Sequence, residues 1–392
     1  MMEKAYLEEP ALIFDSIRGF PIVVTEIGIG VNTFKECDGI AIMHLLNNLI
    51  LKEVSENIHK IGGDIRSMAT HEASFFTVTS ITRHYQKMID LIGSTLTNLT
   101  FDSGEIDEAK KEILSLNERK NPIIDVYDSF LRIFYQPFLH GRSPIYELNR
   151  EVICGLGKDK IVEFYNRYYD ISNMVIGIVG DVSPESIRDI VKEKFRESKG
   201  VPKIKISRNY PKIKFTKPVE IVRHIKGGKC WAVIGYPAPS RTSKDAPVSE
   251  LITLVMDEVL GREMRSRGWG YVADAMRSDY FDNANIAGFA SIYKKEWIEK
   301  ARQNMIRTFE KLKYEHLSNE ELSYYKKIRI NMHVISMDTL TTRARGLVVR
   351  YLHGLENTDF LDALMNVTPV DLARVAKEYF NGNFISLVIK DD

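Results

Sequence analysis

RYYDISNMVIGIVGD, Arg167 to Asp181, and EYFNGNFISLVIKD, Glu378 to Asp391, read the same way. Each opens on a helix-like end with paired aromatics, passes a polar turn carrying Asn, and closes on a β-branched run that ends in Asp. Their offset of about 210 residues points to an internal duplication. A chain of 392 residues is too long for one ordinary domain, so two similar halves are expected.

The break between them is legible. Ser198 to Pro218 reads SKGVPKIKISRNYPKIKFTKP, with prolines at 202, 211 and 218, seven Lys or Arg, and no acid. Repeated proline excludes a helix there, because each one removes a donor and clashes with the preceding turn. The expected organisation is an N-terminal domain over 1–198, a solvated basic linker over 199–218, and a C-terminal domain over 219–392.

Within the first half, Phe20–Ile27 and Glu72–Thr82 read as strands. Gly39–Ile61, Tyr85–Leu99 and Glu105–Asn117 carry helical spacing. The second half repeats the mixture. Strands are expected near Trp231–Tyr236, Tyr271–Asp274 and Ala287–Tyr293, and helices at Val248–Leu260 and from Trp297 and Ser318. Strands separated by helices without a βαβ rhythm give an α+β class: two domains, each a mainly antiparallel sheet with helices packed on it.

Composition bounds the function. Lys+Arg 54 against Asp+Glu 53 leaves a net charge of +1, which gives no pull toward nucleic acid or anionic membrane. Cys37, Cys154 and Cys230 are far apart and odd in number, against a disulfide framework or a cysteine zinc site. Met1–Phe20 carries Glu3, Glu8, Glu9 and Asp15 and does not read as a signal peptide. The expected location is cytoplasmic.

No G-x-S-x-G elbow or P-loop occurs, and Gly28-Ile29-Gly30 reads as a turn. The informative pentapeptide is His44-Leu45-Leu46-Asn47-Asn48. Its spacing is that of H-x-x-E-H, in which two histidines one helical turn apart bind zinc and the Glu activates water. Here Asn47 stands for the Glu and Asn48 for the second His. A carboxamide has no site that takes a proton near neutrality and is a poor zinc ligand.

Around this helix the chain resembles the insulinase/pitrilysin family of zinc metallopeptidases, in its processing-peptidase-like branch. The matches run in order: Gly39-Ile40-Ala41, His44 to Asn48, Ile61-Gly62-Gly63, Glu72 within MATHEASFF, Phe101-Asp102, FLHGRSPIYE (Phe138 to Glu147), and Asn173-Met174-Val175 through Gly180-Asp181. GREMRSRGWGY (Gly261 to Tyr271) and Glu320-Glu321-Leu322 continue them in the second half.

The resemblance implies a third zinc ligand on a downstream helix, seven residues after another Glu. Counting from Phe101-Asp102 places these at Ala109 and Leu116, so the expected metal site is lost and no cofactor is expected. It also implies a substrate-binding pair, Arg265 and Tyr271, with Arg262 and Arg267 as rival arginines. The reading that follows is a non-catalytic subunit that binds peptide or unfolded polypeptide and pairs with a homologous zinc-bearing subunit. Two others stand beside it. One is an active zinc peptidase with an unorthodox site drawn from His44, Glu53, Glu56, His59, His71 and Glu72. The other is a purely structural or peptide-binding protein without such a partner.

Overall fold

The computed structural model describes residues 10–31, 33, 36, 38–116, 122–139, 150–195, 210–225, 229–280, 282–355 and 359–391. The strands are β1 (Ala11–Ser16), β2 (Ile22–Gly30), β3 (Asp64–Ala69), β4 (Ala73–Ile81), β5 (Met174–Gly180), β6 (Val219–Ile225), β7 (Cys230–Ala238), β8 (Ala273–Tyr280), β9 (Asn283–Ile292) and β10 (Ile385–Asp391). The helices are α1 (Gly39–Lys60), α2 (Tyr85–Thr97), α3 (Ser103–Leu116), α4 (Pro122–Phe134), α5 (Gln136–Leu139), α6 (Arg150–Gly155), α7 (Lys158–Tyr168), α8 (Pro184–Lys194), α9 (Ala246–Ser266), α10 (Ile298–Lys311), α11 (Asn319–Ser336), α12 (Leu340–Leu352), α13 (Phe360–Met365) and α14 (Pro369–Tyr379).

Two five-stranded sheets form, ordered β1-β5-β2-β4-β3 and β6-β10-β7-β9-β8. Each has one parallel pair, β1 with β5 and β6 with β10, in an otherwise antiparallel ladder. The second order is the first with every strand replaced by its counterpart, as a duplicated α+β fold requires. The two matching stretches occupy equivalent places, because β5 and β10 are both the second strand of their sheets. Their turns are built alike. Asp170 accepts from the Ser172 amide at 2.9 Å, and Asn381 accepts from the Asn383 amide at 3.3 Å. A short side-chain acceptor thus closes each helix-to-strand turn.

β5 is buried along its whole length and β2 at all but its first residue. Such strands need cover on both faces, which explains the continuous apolar run of β5, while β2 buries Thr25 and Glu26 among its apolar residues. Helix α1 lines one face of the first sheet with Ala41, Leu45, Leu49 and neighbouring residues. The other face is covered by α12, whose Val348 is fully buried against Ala11, Phe75 and Val175. Glycines make room for it. A Cβ at Gly28 would lie 2.4 Å from Val348, and one at Gly177 would lie 2.7 Å from it.

The second sheet is treated likewise by α4. A Cβ at Gly235 would meet the Phe130 ring at 2.3 Å. The Tyr127 hydroxyl lies 2.6 Å from that of Ser278, and the Tyr135 hydroxyl donates to the Asn283 carbonyl at 2.6 Å.

The compact units are therefore not the contiguous stretches 1–198 and 219–392. Helix α12 falls within the first unit, and α4 and α5 within the second. Helical periodicity identifies an apolar stripe but not the sheet it covers, which is why the linker alone drew the boundary too simply. The linker itself also differs from expectation. Residues 199–209 lie outside the described residues. From Tyr210 onward the stretch is docked on the second unit. Tyr210 is buried, the Asn283 side chain accepts from the Ile213 amide and donates to the Pro211 carbonyl, and Lys212 pairs with Asp282 at 2.6 Å.

Gly28-Ile29-Gly30 is strand, not turn, because β2 runs through it. Tyr271 precedes β8 rather than opening it. Residues 140–149 and Cys37 lie outside the described residues. Among the described residues, no helix is long and apolar enough to cross a membrane.

Candidate functional site

His44, Asn47 and Asn48 share one face of α1, since residues three and four apart are neighbours on a helix. The His44 imidazole is mostly buried, and desolvation holds its pKa below the usual histidine value, which favours the neutral ring.

Asn47 is 3% exposed and turns inward. Its Oδ1 accepts from the Ser74 hydroxyl at 2.6 Å and from the Tyr169 hydroxyl at 3.4 Å, while Tyr169 also donates to Ser74 at 3.1 Å. Burial raises the Tyr169 pKa, so this phenol remains a donor. The fourth residue of the H-x-x-E-H spacing is thus a core amide. Its Nδ2 is buried with no hydrogen-bond partner among the described residues.

Asn48 points toward α3. Its Nδ2 donates to Glu112 Oε2 at 2.9 Å, and its Oδ1 is buried and unpaired among the described residues. Lys52, one turn further along α1, lies 3.1 Å from Glu112 Oε1 and 3.0 Å from Glu108 Oε2. The hydrogen bond from Asn48, with those from Lys52, lowers the Glu112 pKa, and the bond to Glu108 raises that of Lys52.

Ala109 is fully buried, as its place on an apolar stripe requires; the Leu116 side chain lies outside the described residues. The sequence reading left α3 with no carboxylate at the metal's third position. The structure brings Glu112 to Asn48, between those two positions in the chain. The available signal was a spacing: Glu112 follows Glu105 by seven residues, the separation the resemblance implies for its carboxylate pair, four residues short of the count from Phe101-Asp102.

The other candidate ligands do not gather. Glu56 pairs with Lys60 at 2.7 Å, and His59 lies 4.0 Å from Asp64. Glu53 is raised in pKa by partial burial and by Glu105. His71 and Glu72 are buried beside β4, where the Thr33 hydroxyl donates to the His71 carbonyl at 2.7 Å. Among the described residues, no three His, Cys, Asp or Glu side chains converge as a metal site. Zinc also fails on chemistry. The amide at 48 presents its NH2 group to Glu112, and an ammonium already neutralises that carboxylate.

In the second unit, Tyr271 is 70% exposed and follows Gly270. A Cβ at Gly270 would lie 1.9 Å from the Ser291 carbonyl, so only glycine lets this loop lie against β9. The three candidate arginines differ in commitment. Arg267 donates twice to Glu263, at 3.0 and 2.9 Å, and lies over the Trp269 ring at 5.2 Å. Arg262 is 3.9 Å from Glu258. Arg265 folds over Gly261 and makes no ion pair within 4 Å among the described residues; burial and Asp257 raise the Asp274 pKa, with Arg265 opposing them.

Residues 155–329 match the family model described as "Peptidase M16 inactive domain". The chain is 23% identical over 370 residues to the zinc protease PqqE of Helicobacter pylori, covering 86% of this chain and 80% of that protein. It is 25% identical over 169 residues to the mitochondrial-processing peptidase subunit beta of Dictyostelium discoideum, covering 40% of this chain and 36% of that one. Among solved structures, a protease from Helicobacter pylori superposes with a TM-score of 0.84 at 17% identity, covering 99% of both chains. A peptidase M16 inactive domain from Pseudomonas fluorescens gives 0.83 at 13% identity, covering 99% of this chain and 97% of that one. The resemblance to zinc metallopeptidases and the two-domain α+β fold are both borne out.

Proposed function

We propose that this chain is a non-catalytic subunit of a metallopeptidase-type assembly, one that binds peptide or unfolded polypeptide beside a homologous zinc-bearing subunit. The observation that supports it is the state of α1. Asn47 is hydrogen-bonded into the core and cannot take a proton from water, and Asn48 is hydrogen-bonded to Glu112. The match of residues 155–329 to an inactive domain points the same way.

In this reading Arg265 and Tyr271 hold the substrate backbone. Both are exposed, and Arg265 is the candidate arginine without an acidic partner within 4 Å among the described residues. The partner would bring the intact H-x-x-E-H and close the chamber.

The test is to purify the chain alone and after co-expression with a homologue that retains the motif, then measure bound zinc and peptide cleavage. Activity confined to the co-expressed pair is the expected result. Stoichiometric zinc and cleavage in the chain alone would sink the proposal. A pull-down that recovers no homologue would favour a peptide-binding protein that acts by itself.

A further inference from the structure

We infer that the cleft between α9 and α10 binds a small organic molecule carrying a phosphoryl group, with Arg262 and Arg307 as the residues that hold the phosphoryl oxygens. The cleft lies wholly within the second unit and measures about 470 Å3, the size of a small-molecule site. Val255, Val259 and Arg262 follow one another at steps of four and three on α9, and Asn304, Arg307 and Lys311 at steps of three and four on α10. That spacing makes each wall one face of its helix. Leu312 and Leu317, from the stretch after α10, and Glu321 of α11 close it.

The charges decide what fits. Three carboxylates line the cleft, and each already has a partner. Glu263 accepts from Arg267 at 3.0 and 2.9 Å and from Asn304 at 3.4 Å. Glu315 lies 3.6 Å from Lys311. Glu321 accepts from the Ser318 amide at 2.8 Å and from the Ser318 hydroxyl at 2.9 Å, which closes the first turn of α11. These bonds hold the Glu263 and Glu321 carboxyls below the ordinary range, with Lys311 and Arg262 adding their charge to the same effect. The acids therefore stay ionised and engaged.

Two guanidiniums are left over. Arg262 is exposed and has Glu258 only at 3.9 Å, the outer limit of an ion pair. Arg307 makes no ion pair within 4 Å among the described residues. Its Nε donates to the Gln303 carbonyl of its own helix at 3.4 Å, which leaves the terminal nitrogens for a ligand. A guanidinium presents its N–H groups in a planar fork that matches phosphoryl oxygens, and the two come from opposite walls.

The floor has another chemistry. Val255 and Met256 are buried, and Val259, Leu312 and Leu317 are half-buried. Apolar surface gains by being covered with an organic body and gains nothing from a bare anion. The ligand class follows: a phosphoryl end on a compact apolar body. Neither Arg265 nor Tyr271 lines this cleft, so the inference stands apart from the proposed substrate pair.

Phenyl phosphate is the probe, titrated into the full chain by isothermal calorimetry at low ionic strength, with inorganic phosphate and phenol run beside it. One phenyl phosphate per chain is expected, bound about tenfold more tightly than inorganic phosphate, with no binding of phenol. Arg262→Ala and Arg307→Ala should each weaken it about tenfold, and together should abolish saturable binding. Lys300→Ala, which removes an exposed cation of α10 outside the cleft, should leave it unchanged.

Absence of saturable binding at millimolar phenyl phosphate would overturn the inference. So would a loss in Lys300→Ala equal to that in Arg307→Ala, which would make the attraction one of general charge. Equal affinity for inorganic phosphate would overturn the organic ligand in favour of the free anion. Melts without ligand establish that each variant is folded. Should the double variant not fold, Arg307→Gln decides alone: it removes the charge at similar length, and unchanged affinity would refute the role of Arg307.

Discussion

Replacing Arg345 by alanine should damage the first unit more than its partly exposed position suggests. Arg345 comes from α12, and its guanidinium pairs with Glu26 on β2. The Glu26 side chain is 0% exposed. The Thr77 hydroxyl donates to Glu26 Oε2 at 2.6 Å, Arg345 donates to Thr77 at 3.1 Å, and the guanidinium lies over the Phe75 ring at 4.3 Å. Arg345→Ala leaves a buried carboxylate with one neutral donor. Breaking a buried pair costs about 3–5 kcal/mol, and the partial exposure of Arg345 places this case near the lower figure. At about 2–4 °C per kcal/mol for a unit of this size, the midpoint should fall by roughly 6–12 °C.

The pH dependence has a definite sign. Burial raises the Glu26 pKa in the folded state, against the opposing effects of Arg345 and Thr77. A carboxyl raised on folding binds more protons in the native state, so stability falls as pH rises from the unfolded pKa through the folded one. Without Arg345 the folded pKa climbs further. The Arg345→Ala deficit should therefore be larger at about pH 8 than at about pH 5.5. Circular dichroism melts of the full chain at both pH values, with hydrogen exchange on β2, provide the measurement. Glu26→Gln should restore most of the loss in the Arg345→Ala background, because the uncompensated charge is gone. A deficit below about 1 kcal/mol, or a double variant no more stable than the single one, would refute the reasoning.

Gly235→Ala should lose about 1–3 kcal/mol in urea melts, because its Cβ would sit 2.3 Å from the Phe130 ring. Gly270→Ala should lose more, since its contact is a backbone carbonyl that no rotamer can move. Asn47→Ala should cost about 1–3 kcal/mol by stranding the Ser74 and Tyr169 hydroxyls, and the full cost should appear as a lowered chemical midpoint. Tyr271→Ala is exposed and should leave stability within about 0.5 kcal/mol. It should weaken binding of a labelled unfolded peptide measured by fluorescence anisotropy; unchanged binding would remove Tyr271 from the proposed substrate site.

The amino-acid sequence by itself determined the duplicated α+β plan, the position of α1, and the presence of Asn47 and Asn48 at the H-x-x-E-H spacing from His44. These are local properties: strand and helix periods, turn residues and the identity of side chains at fixed spacing. Tertiary structure decided what no spacing contains. Strands buried along their length, as β2 and β5 are, need two covers, but nothing in their pattern names the second one. Only the packed chain shows that α12 covers the first sheet and α4 the second, through Gly28, Gly177 and Gly235. The same holds at the degenerate site. Glu112 sits on the polar edge of α3, seven residues after Glu105, but that spacing alone does not say which carboxylate of the helix faces α1. Its meaning arises only when α3 lies against α1 and its carboxylate meets Asn48 and Lys52. Electrostatic partnership depends on separations of a few ångströms between residues 60 or more apart in the chain, and folding alone sets those distances.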